Sequence, residues 1–330
     1  MIPVLNWNDA TRWLGQRKRV AVFSHRRPDG DALGSMVGAW AAAGRMGVAA
    51  DLWLYEPLGD RQAHVGASVD WKVFGGDVGI LAGYDGVIVV DTCATAQLQP
   101  IAAWLASGPP TLVIDHHATR DAIGTRPGDL QLVDERAGAA SMLMVEWFAS
   151  QGWAIEREVA TALFAGIATD CGWFRFSNTD ARMLRAAARL LEAGVQANEL
   201  YGQLFEREPL VRRRLAARLV EGMRLLAGGK LAVMELRRAD FEAVGADASQ
   251  TEDLVNEPMR IAGVAASLLF IEEANGDARV NLRSKHTLDV AALAAGYGGG
   301  GHVRAAGLRL TKPWEMVRDE IVAKAVGVFS

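Results

Sequence analysis

The sequence predicts an α/β protein: a parallel-sheet N-terminal domain followed by a smaller α+β C-terminal domain. Three observations carry this expectation. Apolar runs of strand length alternate with helical apolar patterns up to about residue 115, which is the rhythm of parallel βαβ units. Three of these runs, at 20–24, 87–90 and 111–114, end beside an acid or an imidazole, and in a parallel sheet such strand ends line one ligand-binding crevice. From Lys230 the texture changes to strands around a hairpin turn at Asn275-Gly276-Asp277.

Taken in order, residues 7–18 read as an entry helix and 19–24 as the first strand. From Asp31 a helix runs through Met36, Val37, Trp40 and Ala41 to Gly44, with Asp29 or Asp31 near its N-cap. A second strand follows at 48–54, and a short one at 71–74 interrupts the mixed stretch 56–83. The strand at 87–90, a helix at 96–106, the Pro109-Pro110 break and the strand ending at Asp115 come next. Helical apolar faces occupy 137–150, 157–169, 180–194 and 196–227; the Arg212-Arg213-Arg214 run on the last reads as a solvated face. Beyond Lys230, strands are expected at 231–236, 264–271, 278–283 and 308–310, with helices at 288–296 and 313–328.

The chain has 330 residues, room for two domains with separate cores. Its 35 basic and 39 acidic residues leave a net charge of −4, which argues against gripping long nucleic acid mainly through phosphate neutralisation. A short anionic substrate in a local basic pocket stays compatible with that charge. Cys93 and Cys171 cannot build a disulfide framework and read as reduced, small packing residues. Residues 1–7 lack a basic region followed by an apolar segment, and no apolar run approaches the ~20 residues of a membrane span. The expected location is the cytoplasm.

The chemistry concentrates at the strand ends. His25-x-x-x-Asp29-x-Asp31 contains a Pro28-Asp29-Gly30 turn signal, yet it is no EF-hand. Leu33 stands at loop position five and Trp40 at position twelve, where a bidentate Glu is required. No Gly-x-Gly-x-x-Gly follows the first strand, so a dinucleotide fingerprint is also excluded. Singly, Asp91 is a common strand-ending acid, His116 and His117 fit a hydrogen-bonded core pair, and Asp170 fits a helix-end acid. Jointly, four distant segments supply oxygen and imidazole ligands in numbers that suit two divalent ions sharing one carboxylate. Ions roughly 3.5–4 Å apart clamp a phosphate and activate water. The ligand types accept manganese, magnesium, iron or zinc.

A second cluster lies near the C-terminus. Gly298-Gly299-Gly300-Gly301-His302 places four glycines where a backbone is expected to approach something closely, and successive N–H groups can cradle an anion. Arg283 and Lys285 arrive on a strand and make the pocket locally positive. His286 and His64 receive no role.

The set His25, Asp29, Asp31, Asp91, Asp115-His116-His117 and Asp170 resembles the four motifs of the DHH phosphoesterase superfamily. Arg283-Ser284-Lys285 and the glycine run resemble that superfamily's associated C-terminal domain. Together they are similar to the branch of bacterial nanoRNases (oligoribonucleases) that also act as 3′-phosphoadenosine-5′-phosphate phosphatases. The likeness runs over nearly the whole chain, with the motifs in order. It implies a DHH domain at 1–195, a linker helix at 196–215 and the associated domain at 216–330.

The resemblance also assigns roles. His25 and Asp29 hold one ion, Asp31, His116 and Asp170 the other, and Asp91 bridges them. His117 faces the phosphate or leaving group, and Asp115 orients the imidazoles, completing a catalytic set with Asp91. Arg283, Ser284, Lys285, Gly299, Gly300, Gly301 and His302 bind substrate. The implied metal is manganese and the implied partner a short RNA or nucleotide; a homodimer is permitted. Competing readings are a phosphodiesterase for linear dinucleotides, a single-strand exonuclease, a pyrophosphatase that would leave the glycine run unexplained, and a nucleotide sensor without turnover.

Overall fold

The computed structural model describes residues 5–59, 62–118 and 120–329; the leader reading at residues 1–4 lies outside them. Two compact units divide the chain between Arg207 and Glu208. In the first, six strands form one parallel sheet: β1 Arg19–Phe23, β2 Ala49–Leu54, β3 Trp71–Val73, β4 Gly86–Val90, β5 Thr111–Asp115 and β6 Leu130–Val133. Their order is β3-β2-β1-β4-β5-β6. The chain builds outward from β1 in one direction and from β4 in the other, so the order reverses between these two strands. That reversal opens the crevice at the carboxyl ends.

Val and Ile runs make these central strands because both faces are covered. Ile88 and Val90 of β4 face one core, while Val87 and Val89 face the other. The larger core holds α1 Trp7–Gly15, α2 Gly30–Arg45, α4 Ala140–Gln151, α5 Arg157–Asp170 and α6 Ala181–Glu192. The smaller lies under α3 Ala102–Ser107 and includes Phe23, Trp53 and Leu105. Helix α2 starts where Asp29 caps it, accepting from the backbone N–H of Asp31 at 2.9 Å and of Ala32 at 3.0 Å. It lies close enough to α5 that a Cβ at Gly34 would meet the Ala162 carbonyl at 2.5 Å.

Several elements differ from the sequence reading. The helix expected at 96–106 is a 3₁₀ turn, Thr95–Leu98, followed by α3. Strand β6 is new; only four residues long and half exposed, it has no clear period. The linker helix expected at 196–215 is two helices, α7 Ala197–Phe205 and α8 Leu210–Glu221. Pro209 caps α8, and a residue before proline is disfavoured in the helical region, which breaks the continuity.

The second unit carries a mixed sheet of β7 Arg224–Leu226, β8 Leu231–Leu236, β9 Ala266–Glu272, β10 Ala278–Ser284, β11 Gly300–His302 and β12 Ala305–Leu310. Its order is β11-β12-β10-β9-β8-β7, and only the β8–β9 pair is parallel. Strand β7 and helix α9 Arg238–Val244 were not foreseen, whereas α10 Val290–Ala295 and α11 Glu315–Gly327 were. The glycine run is not an open loop: Gly300–His302 forms the edge strand β11, paired to β12. Among the described residues no helix is long and apolar enough to cross a membrane.

Candidate metal centre

The candidate ligands fall at the carboxyl ends of β1, β4 and β5. His25 follows β1 by two residues, Asp91 follows β4, and Asp115-His116-His117 ends β5. Asp29 and Asp31 sit at the start of α2, and Asp170 is the last residue of α5. These side chains converge into three overlapping groups: His25, Asp29 and Asp91; Asp31, His116 and Asp170; and Asp91, His116 and His117. Within each group the potential ligand atoms lie within 4.8 Å of one another.

Asp91 belongs to two neighbourhoods at once. Its Oδ2 lies 3.5 Å from His25 Nε2, and its Oδ1 lies 3.3 Å from His116 Nε2. The residue adopts a φ of +57°, a left-handed conformation that costs about 1–2 kcal/mol for a non-glycine residue and turns the chain off the strand. His25 Nε2 is also 3.9 Å from Asp29 Oδ1. His116 Nε2 stands 3.7 Å from Asp31 Oδ2 and 4.0 Å from Asp170 Oδ2.

The donor set fits divalent cations. His116 Nδ1 lies 3.1 Å from the Ala137 carbonyl, a pure acceptor, so Nδ1 carries a proton and Nε2 is left facing three carboxylates. Asp91 Oδ1 is buried and has no hydrogen-bond partner. Buried carboxylates gathered this closely around imidazole nitrogens need positive charge among them, which protons supply in the metal-free cluster and divalent cations would supply in their place.

The electrostatics agree. Burial disfavours a charged His116, yet the adjoining Asp91 carboxylate, with Asp31 and Asp170, outweighs it and raises the imidazole to about 10. His25 is raised to about 9 against its own burial, by Asp91 first and then Asp29. Burial and the neighbouring carboxylates lift Asp170 to about 6 and push Asp31 well above the usual carboxylate range. Asp91 is buried too, but the two imidazoles outweigh that and hold it below the usual range. Without cations, this cluster retains protons.

Asp115 proves more selective than expected. Its Oδ1 accepts from the backbone N–H of His116 and His117 and from His117 Nδ1 at 2.8 Å. It therefore orients the His117 ring and not the His116 ring, which Ala137 holds. That bond raises the His117 imidazole against burial and leaves its Nε2 on the open side, with 53% of the side chain exposed.

In the second unit, register places Arg283 opposite Ala305 and Ala305 opposite His302, so Arg283 and His302 share one sheet face. Ser284 points the other way, into the buried face, where its Oγ lacks a partner. Lys285 is exposed, and its backbone N–H donates to the Ala265 carbonyl. The glycines serve the hairpin first. A Cβ at Gly301, φ +144°, would meet the Ala305 carbonyl at 2.5 Å, and one at Gly299 would strike Gly307 and Leu308. The closely approached backbone is thus strand β12 of the same chain. Asn281 was missed: it lies opposite Gly307 and Gly307 opposite Gly300, on the face of Arg283 and His302. Counting back two residues from Arg283 would have found it.

Comparison with known proteins agrees with this geometry. Residues 19–167 match the DHH family N-terminal domain, and residues 228–329 match the DHHA1 domain. The bifunctional oligoribonuclease and PAP phosphatase NrnA of Bacillus subtilis is 32% identical over 244 residues, covering 73% of this chain and 74% of that protein. The protein of the same name from Thermus thermophilus is 29% identical over 293 residues, 88% of this chain and 84% of its own. An exopolyphosphatase-related protein from Bacteroides fragilis shares the fold, with a TM-score of 0.87 at 20% identity over 100% of this chain and 99% of that one. The strand-end ligands, the paired domains and the breadth of these matches together mean that the chain belongs to the DHH phosphoesterase superfamily, with a DHHA1 domain as its second unit.

Proposed function

We propose that this protein releases nucleoside 5′-monophosphates from oligoribonucleotides a few residues long. The same site removes the 3′-phosphate of 3′-phosphoadenosine-5′-phosphate, because both substrates carry a phosphate on a ribose 3′-oxygen. The observation that carries the reading is Asp91, whose two oxygens face two different ligand clusters. The names of the relatives at 32% and 29% identity support the substrate class.

In this reading His25 and Asp29 hold one ion, Asp31, His116 and Asp170 hold the other, and Asp91 serves both; manganese is the proposed metal. When bound, the two ions neutralise the phosphate oxygens and activate the attacking water. The chain's own groups do the rest. His117, tethered at Nδ1 by Asp115, presents Nε2 to the leaving ribose oxygen and gives it a proton. Arg283, Lys285, His302 and the backbone of Gly299, Gly300 and Gly301 hold the nucleotide chain, with Ser284 supporting the strand that carries Arg283. The two cysteines are free and buried, which suits the cytoplasm.

The test is purified protein with Mn²⁺ on RNAs of two to five nucleotides, a 24-mer and 3′-phosphoadenosine-5′-phosphate. With a net charge of −4, extra nucleotides gain few phosphate contacts, so the turnover efficiency is expected to fall as the RNA lengthens. Equal efficiency on the 24-mer would replace this reading with a processive exonuclease, and activity on pyrophosphate alone would end it.

A further inference from the structure

One loop reaches all three ligands of a single ion subsite. Residues 134–139 connect β6 to α4. The Ala137 carbonyl holds His116 Nδ1 at 3.1 Å. At the start of α4 the backbone N–H groups of Ala140 and Ser141 donate to the two carboxylate oxygens of Asp31, at 2.6 and 2.8 Å. The third ligand is reached through a side chain. Asn178 Nδ2 donates to the main-chain carbonyl of Gly138 at 3.1 Å and to the main-chain carbonyl of Asp170 at 3.3 Å, so it holds the backbone that carries the Asp170 carboxylate. Both partners are acceptors only, so the amide can stand in no other orientation. The loop itself is pinned at its base, where Asp134 accepts from Arg182 Nη1 at 2.6 Å.

Among the described residues, His25 and Asp29 make no such contact with this loop. His25 Nδ1 lies 2.9 Å from the Arg26 carbonyl, and Asp29 caps α2. The two subsites therefore differ in what supports them. We infer that Asn178 is a positioning residue for one ion only, the ion held by Asp31, His116 and Asp170, because it ties the Asp170 segment to the loop that orients the other two ligands. This rests on the two-ion reading above. Asn178 lies in an exposed stretch outside the cores, so its substitution removes two hydrogen bonds without opening a cavity.

The experiment is a Mn²⁺ titration of the full chain after chelation, comparing wild type, Asn178→Ala and the neighbouring Ser177→Ala. Metal content comes from elemental analysis. Electron paramagnetic resonance distinguishes an isolated Mn²⁺, which gives a resolved hyperfine signal, from two coupled ions, which do not. Removing a support behind a metal ligand weakens metal binding about 10- to 100-fold. Asn178→Ala is expected to keep one ion at wild-type affinity and to bind the second about 10- to 100-fold more weakly, with an isolated-ion spectrum between the two midpoints. Ser177→Ala is expected to match wild type. Unchanged binding of both ions in Asn178→Ala overturns the inference, as does parallel weakening of both with a lower melting temperature of the metal-free chain, the mark of a general structural role. Wild type that takes up no Mn²⁺ overturns the two-ion reading itself, and the inference with it.

Discussion

Asp91 is shared by two of the candidate groups, and each of its oxygens faces a different imidazole. Asp91→Ala is expected to lose both ions together, because it removes negative charge between two cations. Asp29→Ala, whose carboxylate groups with His25 and Asp91, is expected mainly to weaken one. Elemental analysis per chain reads both, and two ions retained in Asp91→Ala with near-normal turnover would remove the bridging role. His117 makes a second residue-scale case. Its ring is half exposed and held at Nδ1 by Asp115, so it is placed for proton transfer more than for ligation. His117→Ala is expected to lower turnover about 10²- to 10⁴-fold while both ions stay bound. Asp115→Asn should lower it less, and kinetics paired with metal analysis would show either variant losing an ion if the assignment is wrong.

At the scale of elements, the β6–α4 connection is held by an ion network. Arg182 on α6 pairs with Asp134 at the end of β6 and, through both Nε and Nη2, with Glu146 on α4. Burial disfavours the Asp134 charge, but Arg182 and then Arg136 outweigh it and hold the carboxyl below its usual range. Arg182→Met leaves the Asp134 carboxylate, whose side chain is 1% exposed, with Arg136 as its remaining cation, and is expected to cost on the order of 1.5–3 kcal/mol in urea unfolding at pH 7. The sign of the pH dependence follows from the lowered folded value. Asp134 contributes its full stability above the unfolded carboxyl range, near pH ~4, and loses it as the pH falls through its folded value. The gap between wild type and Arg182→Met should therefore close as the pH drops below ~4, and a constant gap would show that the Asp134 charge is not what Arg182 stabilises.

For the whole molecule, the proposed function assigns ions and proton transfer to the first unit and the grip on the nucleotide chain to the second. If Arg283 and His302 bind substrate and do not touch the ions, Arg283→Ala and His302→Ala are expected to cripple dinucleotide cleavage yet keep their metals. A charge-assisted contact to phosphate is worth on the order of 1.5–3 kcal/mol, so the defect should be roughly tenfold to a hundredfold. Both variants should still hydrolyse a nitrophenyl phosphodiester, which has no second nucleotide to hold, whereas Asp31→Ala should abolish both reactions. Equal losses on the two substrates, with folding intact, would place the second unit in the chemistry itself.

The amino-acid sequence alone determined the central strands and the candidate ligands at their ends. A buried parallel strand must be apolar on both faces, so the first polar residues after it, His25, Asp91 and Asp115-His116-His117, fall at the carboxyl edge of the sheet. Strand alternation likewise put Arg283 on one face of β10. Only the tertiary structure decided the rest, because long-range contacts leave no local period. Strand β6 exists because β5 lies beside it. Asp115 turns to His117 because the Ala137 carbonyl has already taken His116. The glycine run pairs with β12 because its conformation and close packing are those of a hairpin. Asn178, an unremarked polar residue in the sequence, gains its two partners only when the β6–α4 loop and the end of α5 are brought side by side.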